Sequence, residues 1–280
     1  MRATASYDEP FAWWGPVWSP PAPRDVLDLI RDGTLPAETA ALLWALLARR
    51  ASLAVAAGPS GAGKTTLLTA LLAFLPPATD RLYLRGCYEP FAFLDDPTVD
   101  PTRTALLVNE ISANLPAYLW GPGVRRALAA TGRGFALLTT LHAASPTELV
   151  RGLAGYPLRV PTAEIAHLGV VVVLEAHPVD GVIRRGVGTV AALTPTPGGG
   201  LAIEALAARP TAETPPAVDP RGVASVAGRF GWRADGAGIA REIASRAALL
   251  TALAAAPPAD LAATLARLGR RWLGPPTVAE

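Results

Sequence analysis

The chain of 280 residues has one cysteine, Cys87, and one lysine, Lys64. A lone cysteine excludes an internal disulfide framework and fits a reducing compartment. Charged residues make up only 17% of the chain and the formal net charge is +2, an excess too slight to argue for nucleic acid. No arginine stripe suggests a nucleic-acid surface either. No apolar run reaches membrane-spanning length, and the run over residues 42–57 is interrupted by Arg49 and Arg50. Residues 1–10 carry acids and no apolar core, so they do not read as a secretory signal. The expectation is a soluble, intracellular protein that at most docks on a membrane protein. What remains is an alanine-rich apolar composition of 51%, globular rather than disordered, with length for one large or two modest domains.

Residues 58–66 read GPSGAGKTT and fit the spacing G-x-x-x-x-G-K-[ST] through Gly58, Gly63, Lys64 and Thr65. Residues 52–57 (SLAVAA) suit a buried strand before it. The apolar run 67–75 suits a helix after it, stopped by Pro76 and Pro77. Strand, glycine loop and helix together are the context in which this pattern cradles phosphate. The backbone amides of Gly58, Pro59, Ser60, Gly61, Ala62 and Gly63 (all but that of Pro59, which has none) are expected to turn inward on a phosphate chain. The following helix adds its positive end beside Thr65 and Thr66. Lys64 is expected to reach the β- and γ-phosphates, and the Thr65 hydroxyl to ligate Mg²⁺. Every other basic residue is arginine. A slim ammonium fits between phosphates where a planar guanidinium does not, which explains the exception at position 64.

Along the chain, residues 1–23 form a proline-rich arm with Trp13, Trp14 and Trp18. Residues 24–31 predict a short helix closed by Gly33. Thr34 is expected to cap a second helix, with Pro36 in its first turn, running to Arg50. Strands are expected at 81–84, 105–108, 135–140, 169–174 and 182–193, and helices at 122–130 and from Ser145, where Glu148 completes a capping-box pattern. Strands alternating with helices predict an α/β fold with a mostly parallel sheet. The stretch 194–200 (TPTPGGG) and the proline-rich 209–220 read as linkers. Beyond them Ile239, Ile243, Ala247 and Leu250 share one helical face, as do Leu261, Leu265, Leu268 and Trp272, with Pro257 and Pro258 between. The expected division is an arm and short helix over 1–33, a core over 34–195, and a linker with a small C-terminal helical region over 196–280.

Two residues stand where a phosphate site needs help. Glu110 leaves the apolar run 105–108, expected as a strand beside the one that feeds the glycine loop, and a carboxylate there, near Mg²⁺ and the γ-phosphate, is a candidate general base or water positioner. His142 leaves the next strand in the same manner and is a candidate to hydrogen-bond the γ-phosphate or to link it to a neighbouring subunit. His167 and His177 have no such placement and read as structural.

The quoted motifs resemble the secretion ATPase family that drives type II secretion, type IV pilus and archaellum assembly, in particular its archaeal-type branch. The resemblance runs from about Arg24 to Trp272. Residues 24–77 resemble the family's run from its pre-core helices through the Walker A loop. ALLVNEI (105–111) resembles its Walker B segment, with Glu110 at the catalytic glutamate. TTLHAASPTELVRGL (139–153) resembles its histidine box, with His142 at the histidine. Residues 239–272 resemble the helical tail. The same Walker A string occurs in ABC-type domains, but no LSGGQ-like signature precedes Glu110.

The resemblance implies a RecA-like P-loop core, ATP with Mg²⁺, a hexameric ring, and a polytopic inner-membrane platform as partner, with no nucleic acid. It places the protein in the cytoplasm, peripheral at the inner face of the membrane. It implies Lys64, Glu110 and His142 as catalytic residues and Thr65 and Glu110 at the metal. Glu89 would stand for the family's acidic box on the nucleotide. There are departures. Glu89 is the only acid in that box, Asn109 replaces a glycine, Ser112-Ala113 replaces Arg-Gly, and the family's N-terminal domain shrinks to an arm. Two functions follow: an ATPase motor with a neighbour's arginine in trans (Arg125, Arg126, Arg133, Arg151 or Arg159), or a divergent ATP-binding ring subunit or regulator with little or no hydrolysis.

Overall fold

A computed structural model describes residues 24–58, 61–179, 182–211, 214–256 and 264. The Trp13, Trp14 and Trp18 arm, Pro59, Ser60, and the helix expected through Leu261, Leu265, Leu268 and Trp272 lie outside the described residues.

One sheet organises the chain. Its eight strands are β1 (Leu53–Ala57), β2 (Asp80–Tyr83), β3 (Thr104–Ile111), β4 (Ala136–His142), β5 (Val170–Val179), β6 (Val182–Pro195), β7 (Leu201–Ala208) and β8 (Ala217–Val218), in the order β2-β3-β4-β1-β5-β6-β7-β8. The run β2-β3-β4-β1-β5 is parallel. The last three strands join antiparallel. The fold is mixed α/β with a central sheet that is mostly parallel. Parallel strands are buried on both faces, and β1 is buried at all five residues. Its side chains alternate: Leu53, Val55 and Ala57 enter one core, Ala54 and Ala56 the other.

The first core is covered by α1 (Val26–Arg31), α2 (Ala37–Leu47), α3 (Lys64–Leu71), α7 (Pro220–Val226) and α8 (Gly236–Ala255). The second is covered by α4 (Pro122–Thr131), α5 (Pro146–Ala154) and α6 (Thr162–Ile165). Helices on both faces therefore leave the carboxyl ends of the parallel strands as the open edge. Trp44 of α2 stacks on Phe74 with ring centroids 5.4 Å apart. Truncating a side chain of that size in a packed core costs about 3–5 kcal/mol. Among the described residues no helix is long and apolar enough to cross a membrane.

Several local expectations are corrected. Thr34 does not cap α2; Pro36 occupies the cap position and makes no side-chain cap bond. A capping box opens α1, between Asp25 and Asp28. At α5 the Ser145 hydroxyl accepts from the Glu148 amide, but the Glu148 carboxylate accepts from Ala144 rather than from Ser145. The stretch 194–200 is a hairpin turn between paired strands β6 and β7. Proline and glycine punctuate a tight turn and a linker alike, so composition does not separate them. The stretch 209–220 likewise carries β8 and the first residue of α7.

On α8 the expected face is buried: Ile239, Ile243 and Leu250 line the core and Ala247 packs against it. Arg246 is buried with them at 1% exposure. Its guanidinium lies 4.4 Å from the Trp44 ring and pairs with Glu242 at 2.7 Å. Glu242 also accepts from Arg49 of the α2–β1 connection and from the Trp232 indole, which pins α8 to α2.

Candidate functional site

The glycine loop leaves the carboxyl end of β1 and feeds α3. Gly63 caps α3 at φ 92°, and Gly61 stands at φ 71°, both in the left-handed region. A Cβ added at either would meet nothing within 4 Å, so glycine is required here by conformation and not by crowding. Ala62 is buried, Lys64 opens the first turn, and Thr65 and Thr66 follow, half-buried and exposed. The first amides of any α-helix lack intrahelical acceptors, so this turn presents donors to an anion.

Lys64, Glu110 and His142 converge above that turn. The Lys64 ammonium lies 3.7 Å from Glu110 Oε2, and both side chains are nearly buried, at 7% and 9% exposure. It also lies 3.2 Å from His142 Nε2. His142 Nε2 is 3.5 Å from Glu110 Oε1. His142 Nδ1 is 3.3 Å from the Gly58 carbonyl oxygen, which closes the group onto the loop itself. The ammonium also lies 3.5 Å from Nδ1, so the contacts admit either tautomer; in the one with Nδ1–H donating to Gly58, the Nε2 lone pair accepts from the ammonium. Nε2 then has no proton for Glu110, and Glu110 Oε1 is buried without a hydrogen-bond partner among the described residues.

Burial lowers the Lys64 pKa, partly offset by the Glu110 carboxylate, which favours the charged form. Burial raises the Tyr118 phenol, and the Glu110 charge adds to that rise. Beside His142 a cleft of about 310 Å³ runs between the end of β3 and α5, walled by Ile111, Trp120, Leu141, Leu149 and Leu153. It lies on the α5 face of the sheet, opposite α3, and His142 both lines it and reaches the glycine loop.

Two placements differ from the sequence reading. Glu110 does not follow β3 but lies within it, because the strand runs on to Ile111. Nor is β3 next to β1, since β4 stands between them. A register slip aims the carboxylate across that gap. Val108 pairs with Thr139 and Ile111 with Leu141, so Asn109 and Glu110 oppose Thr140 alone. Such a bulge turns a side chain out of the regular alternation. The Thr140 hydroxyl holds it by donating to the Asn109 carbonyl at 2.7 Å. Sequence reasoning missed Thr140. Its signal was two buried threonines inside an otherwise apolar strand.

Glu89 is buried, and its carboxylate accepts the backbone amides of Arg85 at 3.1 Å and Phe91 at 2.9 Å. Among the candidate arginines, Arg126 lies over the Phe91 ring, Arg133 donates to the Leu94 carbonyl, and Arg125, Arg151 and Arg159 are exposed.

The residues fit a bound triphosphate with a divalent cation. A buried ammonium and helix-end amides suit phosphate oxygens, and the unpartnered Glu110 Oε1 suits a proton or a cation. Among the described residues no group of three or more His, Cys, Asp or Glu side chains could hold a metal alone. A divalent ion here would draw most of its ligands from phosphate and water, as Mg²⁺ does in phosphate sites.

No family model matches the chain. Two curated relatives are from Methanocaldococcus jannaschii. Uncharacterized protein MJ1287 is 30% identical over 160 residues, 51% of this chain and 59% of that protein. Uncharacterized protein MJ0900 is 28% identical over 172 residues, 53% of this chain and 29% of that protein. The matched part is thus less than two thirds of either relative. Among solved structures, the VirB11 ATPase from the Brucella suis type IV secretion system is 19% identical with a TM-score of 0.40, covering 62% of this chain and 66% of that one. The Legionella pneumophila ATPase DotB is 18% identical with a TM-score of 0.33, covering 50% and 45%.

Proposed function

We propose that this chain is an ATP-binding and ATP-hydrolysing subunit of a motor, built on a RecA-like P-loop core with a C-terminal helical region. The observation that carries the reading is the meeting of Lys64, Glu110 and His142 on one glycine loop at the carboxyl edge of the sheet. Lys64 comes from the loop after β1, and Glu110 and His142 from the carboxyl-end residues of β3 and β4, so their convergence is a property of the fold and not of one motif. The order of Walker A, Glu110 and histidine box supports the secretion ATPase reading. On that reading the protein forms a hexameric ring in the cytoplasm, docks on a polytopic inner-membrane platform, and powers pilus-like assembly or secretion of the type II or type IV kind.

In this reading the loop amides and the Lys64 ammonium bind the phosphate chain, and Thr65 and Glu110 hold Mg²⁺. The ion's contribution is to neutralise charge on the phosphate oxygens. Glu110, already buried and unpartnered at Oε1, orients the attacking water and takes its proton. His142 keeps its Nδ1 proton on Gly58 and senses the occupant of the loop through Nε2. Nucleotide binding draws the ammonium off Nε2, which couples occupancy of the loop to the end of β4.

A second reading is a ring subunit or regulator that binds ATP with little turnover. It is favoured by Glu89, whose carboxylate is engaged by two backbone amides. Steady-state ATP hydrolysis by the purified protein, with Lys64→Ala as the blank, separates the two. Turnover above the blank supports the motor; a rate equal to the blank, with ATP still bound, supports the regulator.

A further inference from the structure

We propose that Glu89 is a positioning residue for Glu110, acting through two interlocked loops and not through a bound nucleotide. The inference rests on the reading above, in which Glu110 orients attack on the γ-phosphate.

The chain of contacts begins at Glu110 itself. Its carbonyl accepts the Leu119 amide at 2.9 Å, and the Ser112 amide donates to the Leu119 carbonyl at 3.2 Å. Residues 112–120 therefore leave β3 and return to pair beside it, with Ile111 bridged to Leu119. The backbone that carries the carboxylate is braced by this loop on its outer side. On its inner side it is braced by Thr140.

The loop 112–120 is in turn held by the loop 85–91. The Cys87 amide donates to the Pro116 carbonyl at 3.0 Å. Gly86, at φ 59°, lies so close that an added Cβ would stand 2.3 Å from the Ala117 carbonyl carbon and 2.5 Å from the Pro116 oxygen. Backbone rests on backbone there, and no other residue type fits.

Glu89 sets the shape of that second loop. It closes residues 85–91 by accepting the amides at both ends, Arg85 and Phe91. Phe91 is 1% exposed with φ 58°, a left-handed conformation that a bulky residue adopts only when its surroundings enforce it. The Glu89–Phe91 bond is one such restraint. The Phe91 ring reaches α4, and Leu119 packs on the same first turn at Gly123, so both loops bear on one fixed element. A change at Glu89 passes through Gly86 and Ala117 to Leu119, and from there to the backbone of Glu110.

The test compares Glu89→Ala, Glu89→Gln and Gly86→Ala with the parent protein by amide hydrogen exchange, Mg·ATP affinity, and kcat and KM. Expected for Glu89→Ala and Gly86→Ala is faster exchange over residues 110–119, with α3 unchanged. Mg·ATP affinity should stay within about twofold while kcat falls about 10- to 100-fold, as for a displaced catalytic group. Glu89→Gln, which keeps one carbonyl acceptor, should recover part of both readouts. Unchanged exchange over 110–119 in a folded Glu89→Ala protein overturns the proposal. So does a loss of ATP affinity that tracks the loss of kcat, which would put Glu89 on the nucleotide. If Glu89→Ala does not fold, Glu89→Gln and Gly86→Ala carry the same comparison. If the parent protein turns over no faster than Lys64→Ala, the hydrolytic reading fails, and the exchange data alone still decide the clamp.

Discussion

Lys64 Nζ and His142 Nε2 stand 3.2 Å apart, and the same imidazole reaches the Gly58 carbonyl through its other nitrogen. The ammonium therefore lies between an imidazole and a carboxylate, with the lysine and glutamate side chains nearly buried. Burial pulls its pKa down, and the Glu110 carboxylate offsets part of that fall. A phosphate chain replaces a weak acceptor with strong ones, and a charge-assisted bond to phosphate outweighs the bond to imidazole.

That placement makes the shape of the cation matter as well as its charge. Lys64→Arg keeps the charge but puts a planar fork into a space where the native side chain is 7% exposed. The expected outcome is a loss of Mg·ATP affinity of about 100-fold, the equivalent of roughly 2.7 kcal/mol, measured by titration calorimetry. Affinity close to that of the parent would show that the loop does not grip the phosphates through this group.

On the proposed reading Glu110 acts in the chemical step, and its hold on Mg²⁺ is one ligand among several drawn mostly from phosphate and water. Glu110→Gln preserves volume and removes the base, so turnover should fall about 100-fold or more while Mg·ATP affinity changes less than about threefold. Steady-state kinetics alongside calorimetry check the split. Unchanged turnover removes the role.

Thr140 holds the bulge that aims Glu110. Thr140→Val keeps the shape and deletes the hydroxyl that donates to Asn109. Stability should drop by about 1 kcal/mol in denaturant unfolding, the net worth of one hydrogen bond. Turnover should drop with it, at unchanged ATP affinity. Full turnover in this variant would mean that the bulge holds itself.

The glycine loop was legible in the sequence because its geometry is local. Gly58, Gly63, Lys64 and Thr65 lie within eight positions, and each conformation there is set by its own residue. The parallel strands β1, β3, β4 and β5 were legible from apolar runs for the same reason. The aim of Glu110 was not, since it depends on a register slip against β4 and on Thr140, thirty-one positions from the Asn109 it holds. The hairpin at 194–200 was read as a linker because turn and linker share their residues. Arg246 was invisible as a core residue because its partner ring, Trp44, belongs to a helix near the other end of the described chain.

The buried cluster at α8 gives a pH dependence. Burial acts to raise the Glu242 carboxyl, but hydrogen bonds and charge from Arg49 and Arg246 outweigh it and hold its pKa below the ordinary value of 4.5. A depressed carboxyl contributes stability that is present above the ordinary value and lost as pH falls through the depressed one. Glu242→Gln should cost about 3 kcal/mol at neutral pH, because it leaves two arginines without their counter-charge. It should also flatten the loss of stability on acidification below 4.5. Denaturant midpoints of both proteins across that window are the check, and parallel curves would contradict the assignment.

Titration calorimetry of Mg·ATP into the purified protein, with Lys64→Ala alongside, tests the triphosphate grip most directly. Saturable, Mg²⁺-dependent binding in the parent is expected, weakened about 100-fold in the variant. Equal binding by the two proteins, or none by the parent, would contradict it.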